Sequence, residues 1–198
     1  MTLSDVFNLK KQLVLYGSHH NNKTNIVIHM IFVPVIFWTA LVFGAKTGPL
    51  VNIAGLPSSL KWIKAMGPNL GFFTVTFYSV YYAALDPVAA ALYAPILYGM
   101  CYTATQFQRF NPNANKIALG LHITSWIFQF IGHGAAEKRS PKLMDNLVQA
   151  LVSAPYFVFF EVLFALGYRS KLRNEMMIEV EKDVAAFRAQ QQKKNFKA

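Results

Sequence analysis

Apolar residues in this chain come in long runs rather than in stripes. Residues 26–45 are almost wholly apolar, and about 20 such residues suffice to cross a bilayer core. Pro34 is expected to kink this first run. Residues 71–85 and 88–105 repeat the pattern on either side of Asp86-Pro87. Proline cannot continue a helix interior and restricts the residue before it, so a helical hairpin is expected to turn there. Residues 117–131 form the next span. Residues 147–166 form the last one, interrupted by Ser153-Ala154-Pro155 and carrying Glu161.

Polar stretches separate these runs. Residues 1–25 lead in with Ser4 and Asp5 as caps for a short interfacial helix that presents Val6, Leu9 and Leu13 on one face. Residues 46–70 are punctuated by Gly, Pro and Ser, with a short helix over 60–66 anchored by Trp62. Residues 106–116 read as a loop. From residue 169 onward the chain is charged and Gln-rich without a long apolar face. The fold class predicted is therefore all-α: a multispanning membrane helix bundle of about four to six transmembrane or re-entrant helices. Residues 1–170 are read as one integral-membrane domain and 171–198 as a charged, solvent-exposed helix or tail.

Composition strengthens the membrane reading. Hydrophobic residues make up 54% of the 198, and charged residues 14% where about a quarter is usual. The net charge of +10 raises the question of nucleic acid. The basic residues, however, flank apolar runs and fill the C-terminal segment instead of striping one face of a domain. Lysine and arginine beside an anionic cytoplasmic leaflet account for the charge, and nucleic acid is excluded as a partner. Cys101 is the lone cysteine, so neither an intrachain disulfide nor a cysteine metal cluster is available. The N-terminus lacks a basic stretch followed by an apolar one, and no cleavable signal peptide is expected.

Topology then gathers the chemistry at one place. With a cytosolic N-terminus, span counting brings His133, Glu137 and the basic loop 138–142 to the cytosolic membrane face, as the positive-inside rule favours. His19, His20 and His29 fall on the same side. To keep the basic C-terminal segment cytosolic as well, residues 147–166 are expected to turn back near Pro155 as a re-entrant or bent pair.

Trp126-Ile-Phe-Gln-Phe-Ile-Gly-His-Gly-Ala-Ala-Glu-Lys-Arg139 is the stretch on which this site is centred. His133 and Glu137 are four residues apart and share a helix face. Histidine is the commonest metal ligand, and imidazoles plus a carboxylate suit non-haem iron(II) with open positions for oxygen. Glu137 either completes such a set or pairs with Lys138, Arg139 or His133. His29 lies within about a turn of the cytosolic end of its span, with Asn25 four residues earlier to orient it. Of the adjacent His19 and His20, one is a ligand candidate while the other binds substrate or is structural. His122 is excluded: it lies ~16 Å from His133 along a straight helix, so both cannot reach one ion. Asp145 reads as a helix cap. Glu161, a carboxylate in an apolar run, reads as either site-related or interhelical. No Gly-rich nucleotide loop and no nucleophile elbow occur.

The spaced His20-Asn-Asn22-Lys-Thr-Asn25-Ile-Val-Ile-His29, the Gly132-His133-Gly-Ala-Ala-Glu137-Lys138 block, and the later segments Pro141-Lys-Leu-Met-Asp145-Asn146 and Ala154-Pro155-Tyr-Phe-Val-Phe-Phe-Glu161 together resemble the fungal 2-hydroxy fatty acid dioxygenase family, over roughly residues 5–170. The resemblance implies an enzyme of the endoplasmic reticulum membrane, and the topology reading places both termini in the cytosol. It implies Fe(2+)-dependent α-oxidation, in which a long-chain 2-hydroxy fatty acid from phytosphingosine and sphingolipid degradation reacts with O2 and becomes a fatty acid one carbon shorter. It carries His20, His29 and His133 over as metal ligands. Glu137 and His19 follow as catalytic residues. Lys138 or Arg139 either pairs with the substrate carboxylate or serves only as a positive-inside anchor. Two other readings are carried beside it. One is a histidine-box lipid hydroxylase or desaturase with two iron ions, a class built on more than the five histidines present; the other is a non-enzymatic lipid-binding scaffold.

Overall fold

The computed structural model describes residues 3–52, 54–55, 57–137 and 147–197. Their regular structure is helical, with no β-strand among them. The helices are α1 (Leu3–Val6), α2 (Leu9–Gly17), α3 (Lys23–Ala45), α4 (Lys61–Met66), α5 (Leu70–Leu85), α6 (Pro87–Phe110), α7 (Ala114–Ile131), α8 (Leu147–Ala165) and α9 (Ser170–Lys197). A π-helical segment, Gly132–Glu137, follows α7. The chain divides into two compact units, Met30–Gln129 and the pair of segments Met1–His29 with Phe130–Ala198.

In the unit Met30–Gln129, α5 and α6 form the hairpin expected at Asp86-Pro87. Asp86 is buried and caps α6, its carboxylate accepting from the amides of Val88 and Ala89, while Pro87 occupies the first turn, where a missing N–H does no harm. Tyr82 meets Tyr93 near the turn, and Thr76 meets Tyr98 further from it, which fixes the antiparallel course. α3 crosses α5 where glycine meets glycine: a Cβ on Gly44 would lie 2.8 Å from the Gly71 backbone nitrogen. Small residues permit such close backbone approach between apolar helices. Outward faces carry exposed Phe77, Val80, Leu92, Ile96, Ile123 and Ile127, a surface suited to acyl chains rather than to water.

By length and composition α3 and α6 can cross a membrane, and α8 with α9 would add a third span if that bent pair formed one. At 16 residues, α5 reaches only about 24 Å at ~1.5 Å per residue, short of a bilayer core of ~30 Å. α7 is not among the candidates.

The other unit departs from the expectations in three places. α2 is capped by Asn8, whose side chain accepts from the Lys11 amide at 3.0 Å; Asp5 instead pairs with the Lys11 ammonium. Second, α8 continues unbroken past Pro155. The chain turns at its C-terminal end, where the Tyr168 amide reaches Leu163 O (2.9 Å) and the Gly167 amide reaches Phe164 O (3.1 Å). With Gly167 at φ 87°, this is a glycine-terminated helix end, and the following helix departs at 120°. Third, α9 is not wholly solvated. Met176, Val180 and Val184 recur every four residues and are buried, forming a narrow stripe against α2. Lys10 of α2 bridges Glu175 (3.3 Å) and Glu179 (2.6 Å) of α9, and Gly17 lets Val180 come close. α2 also packs on α8, where Ser153 Oγ donates to Gln12 Oε1 at 3.4 Å.

Candidate metal centre

The two histidines after α2 sit in a turn that prolongs the helix instead of a free loop. The His19 and His20 amides donate to Tyr16 O and Gly17 O, each at 3.0 Å. His20 is thereby held within reach of its own preceding turn, and its Nδ1–H donates to Tyr16 O at 2.8 Å. Asn22 then starts α3, its side chain accepting from the Thr24 amide at 2.9 Å. One turn further, His29 Nδ1–H donates to Asn25 O at 2.9 Å. A carbonyl can only accept, so these bonds fix the proton on Nδ1 of both rings and turn Nε2 outward with its lone pair free. The third imidazole, His133, comes from the π-helical segment, a geometry that recurs at functional sites.

His20, His29 and His133 are all buried, and one nitrogen from each lies within 4.8 Å of the others. Ring centroids are 4.2 Å (His20–His29), 4.8 Å (His20–His133) and 4.9 Å (His29–His133), with planes 73–85° apart. The rings thus face a common point edge-on instead of stacking. Two buried nitrogens, His20 Nε2 and His133 Nδ1, lack a hydrogen-bond partner. An unsatisfied buried acceptor costs about 1–3 kcal/mol, so such convergence is unfavourable unless something binds there. Three neutral imidazole lone pairs suit a transition-metal ion, and the donor set fits one ion.

Electrostatics favour the neutral rings. Burial lowers the His20 pKa well below its usual 6.5, helped by His29 and His133, against the Tyr16 carbonyl bond that raises it. Burial, then His29 and His19, lowers His133 to about 3. At pH 7 both keep the lone pair that metal binding requires. Tyr16 stacks on His20 at 3.9 Å and 9°, and Phe157 lies 4.2 Å from Tyr16, so an aromatic wall closes one side. Burial pushes the Tyr16 phenol above its ordinary range, keeping that wall uncharged.

The expected residues distribute unevenly. His20, His29 and His133 come together. His19 is buried next to His20, with Nδ1 on Leu15 O at 3.2 Å, and is not part of the triad. Asn25 is fully buried and supports His29 through its backbone carbonyl. Glu137 ends the π-helical segment, but its side chain, like Lys138, Arg139 and Asp145, lies outside the described residues. Glu161 is half-buried on α8 and does not join the cluster. Sequence reasoning missed Tyr16 and Gly132. Tyr16 is the i−4 neighbour of His20, the same offset that singled out Asn25 for His29.

His122, which its spacing excludes from the cluster and which reads as either structural or cavity-lining, is held in a hydrogen-bond chain. Trp126 Nε1–H donates to His122 Nε2 at 2.9 Å. His122 Nδ1–H therefore donates to Thr39 Oγ1 at 2.7 Å, and that hydroxyl donates on to Val35 O or Ile36 O. Every polar atom of the ring is used. His122→Ala is expected to retain the parent's metal content while losing about 1–3 kcal/mol of stability from the broken chain. Metal analysis of the purified variant beside its thermal unfolding checks both halves.

Among the described residues, apolar helix faces and a buried three-imidazole cluster are compatible with a membrane protein that holds a metal ion. The chain belongs to the Mpo1-like family, described as 2-hydroxy-palmitic acid dioxygenase Mpo1-like, which matches residues 6–166, and it is a dioxygenase. It is similar to the 2-hydroxy-palmitic acid dioxygenase MPO1 of Saccharomyces cerevisiae: 34% identical over 189 residues, covering 94% of this chain and 98% of that protein. No solved structure matches it.

Proposed function

We propose that this protein is an Fe(2+)-dependent dioxygenase that converts long-chain 2-hydroxy fatty acids to fatty acids one carbon shorter, in the α-oxidation that follows phytosphingosine and sphingolipid breakdown. The observation that carries the reading is the buried cluster of His20, His29 and His133, one nitrogen of each within 4.8 Å of the others, in a chain of this family. Bound iron(II) supplies redox chemistry and positions open to small ligands. One 2-hydroxy acid and one O2 give the shortened acid, CO2 and water. All the electrons that O2 accepts come from the acid, so no separate reductant is required.

The chain's own residues supply the rest. Tyr16 and Phe157 keep the imidazoles dry and neutral. Apolar helix faces hold the acyl chain, and Lys138 or Arg139 pairs with the substrate carboxylate. Glu137 completes the ligand set or orients a histidine, and His19 assists catalysis from beside His20. The protein resides in the endoplasmic reticulum membrane, with four to six crossing or re-entrant helices, both termini cytosolic and the metal centre at the cytosolic face.

Anaerobic reconstitution with iron(II), followed by oxygen and 2-hydroxypalmitic acid, tests the reading. The expected result is one iron per chain and stoichiometric pentadecanoic acid and CO2. Two irons per chain would favour a histidine-box hydroxylase. An iron-loaded protein that returns the hydroxy acid unchanged would overturn the proposal.

A further inference from the structure

Three different segments carry the triad: the turn after α2, the start of α3, and the π-helical segment. Asn25 touches all of them. Its backbone carbonyl accepts from His29 Nδ1–H at 2.9 Å. Its Nδ2 donates to His19 O at 3.4 Å, on the residue next to His20. Its side-chain oxygen faces Gly132, next to His133: a Cβ built on Gly132 would collide with Asn25 Oδ1, and would also lie 3.4 Å from Asn25 Cγ and 3.5 Å from Ile28 Cδ1. Asn25 is fully buried, so neither residue has room to retreat. Glycine at 132 is required here by space, since any side chain would displace the backbone that carries His133.

We infer that Asn25 and Gly132 form a matched pair of positioning residues that sets the spacing of the three imidazoles, and with it the affinity and geometry of the metal. The inference rests on the metal-binding reading above. Asn25 is not a ligand in this scheme. It acts by fixing where the ligands stand, as residues behind metal-ligating histidines generally do, with typical effects of ~10–100-fold in metal affinity.

The test uses the full chain in detergent with Co(II) as the probe, read by visible ligand-field absorption and by competition for the metal. Four proteins are compared: the parent, Asn25→Ala, Gly132→Ala and the double variant. The expected result is a ~10–100-fold weaker Co(II) affinity and an altered absorption spectrum for each single variant. In the double variant the space left by Asn25 admits the alanine methyl at 132, so its affinity is no weaker than that of Asn25→Ala. Such non-additivity is the signature of direct contact. Metal-free melting temperatures are recorded in parallel. Parent affinity and spectrum in both single variants overturn the inference. So does strict additivity in the double variant. So does metal-free Asn25→Ala melting far below the parent, because Asn25 then holds the fold rather than the site. A parent that binds no Co(II) defeats the metal reading itself, an outcome distinct from these.

Discussion

His29→Ala, His20→Ala and His133→Ala are each expected to abolish turnover and to strip the metal while leaving the helices inserted. The size of the effect follows from the geometry. Only three imidazoles converge among the described residues, so losing one removes a third of that set. Changes behind a ligand already cost ~10–100-fold in metal affinity; loss of the ligand itself should exceed that. The fold is expected to tolerate the change, because the imidazoles that bind a metal are a burden to the metal-free protein. His20 Nε2 and His133 Nδ1 are buried polar atoms without a hydrogen-bond partner, which disfavours folding. His20→Phe makes this sharp. The new ring keeps the stack on Tyr16 and removes the orphan, so the metal-free variant should melt no lower than the metal-free parent. Added metal raises the parent's melting point by mass action and leaves the variant's unmoved. Metal content and melting curves with and without iron(II) check both statements. A His29→Ala protein that still holds parent levels of iron would show that the triad is not the binding site.

Much of this centre was legible in the chain because its signals are local. The spacing of His29 inside an apolar run, the Gly-His pair ending another, and the separation of His122 from His133 each follow from helix geometry alone. The hairpin at Asp86-Pro87 was legible for the same reason: one residue caps and the next cannot be interior to a helix. What escaped depends on tertiary contact. Nothing in the sequence says that Gly132 faces Asn25, because that meeting joins segments more than a hundred positions apart. Pro155 reads in the sequence as a turning point, yet a proline within a packed or lipid-facing helix is tolerated where neighbours satisfy the freed carbonyl. The true stop is Gly167, whose left-handed backbone ends α8. Asn8, not Ser4 or Asp5, caps α2, because the helix starts later than its first polar residues suggest.

The C-terminal helix escaped for a different reason, and it carries the other large effect. Composition describes α9 as charged and solvated, since most of its positions are exposed. A stripe of single residues at four-residue spacing is enough to dock a helix, and Met176, Val180 and Val184 supply it. Val180 is 1% exposed, lying against Gly17, one residue after the tyrosine that holds His20 by its ring and its carbonyl. Val180→Asp removes about 1.5–3 kcal/mol of apolar burial and sets a carboxylate in an apolar contact with no ion-pair partner, a further loss of several kcal/mol. Against a total stability of ~5–15 kcal/mol, this is expected to release α9 from α2. At ~2–4 °C per kcal/mol for a chain of this size, the melting point falls by about 10 °C or more, protease cuts α9 readily, and metal affinity drops as Tyr16 loosens. Ile178→Asp, on the exposed side of the same helix, changes stability by no more than ~0.5 kcal/mol and leaves metal binding intact. Equal melting points and equal metal retention in the two variants would mean that α9 is as solvated as its composition suggests, and that the metal-bearing unit stands without it.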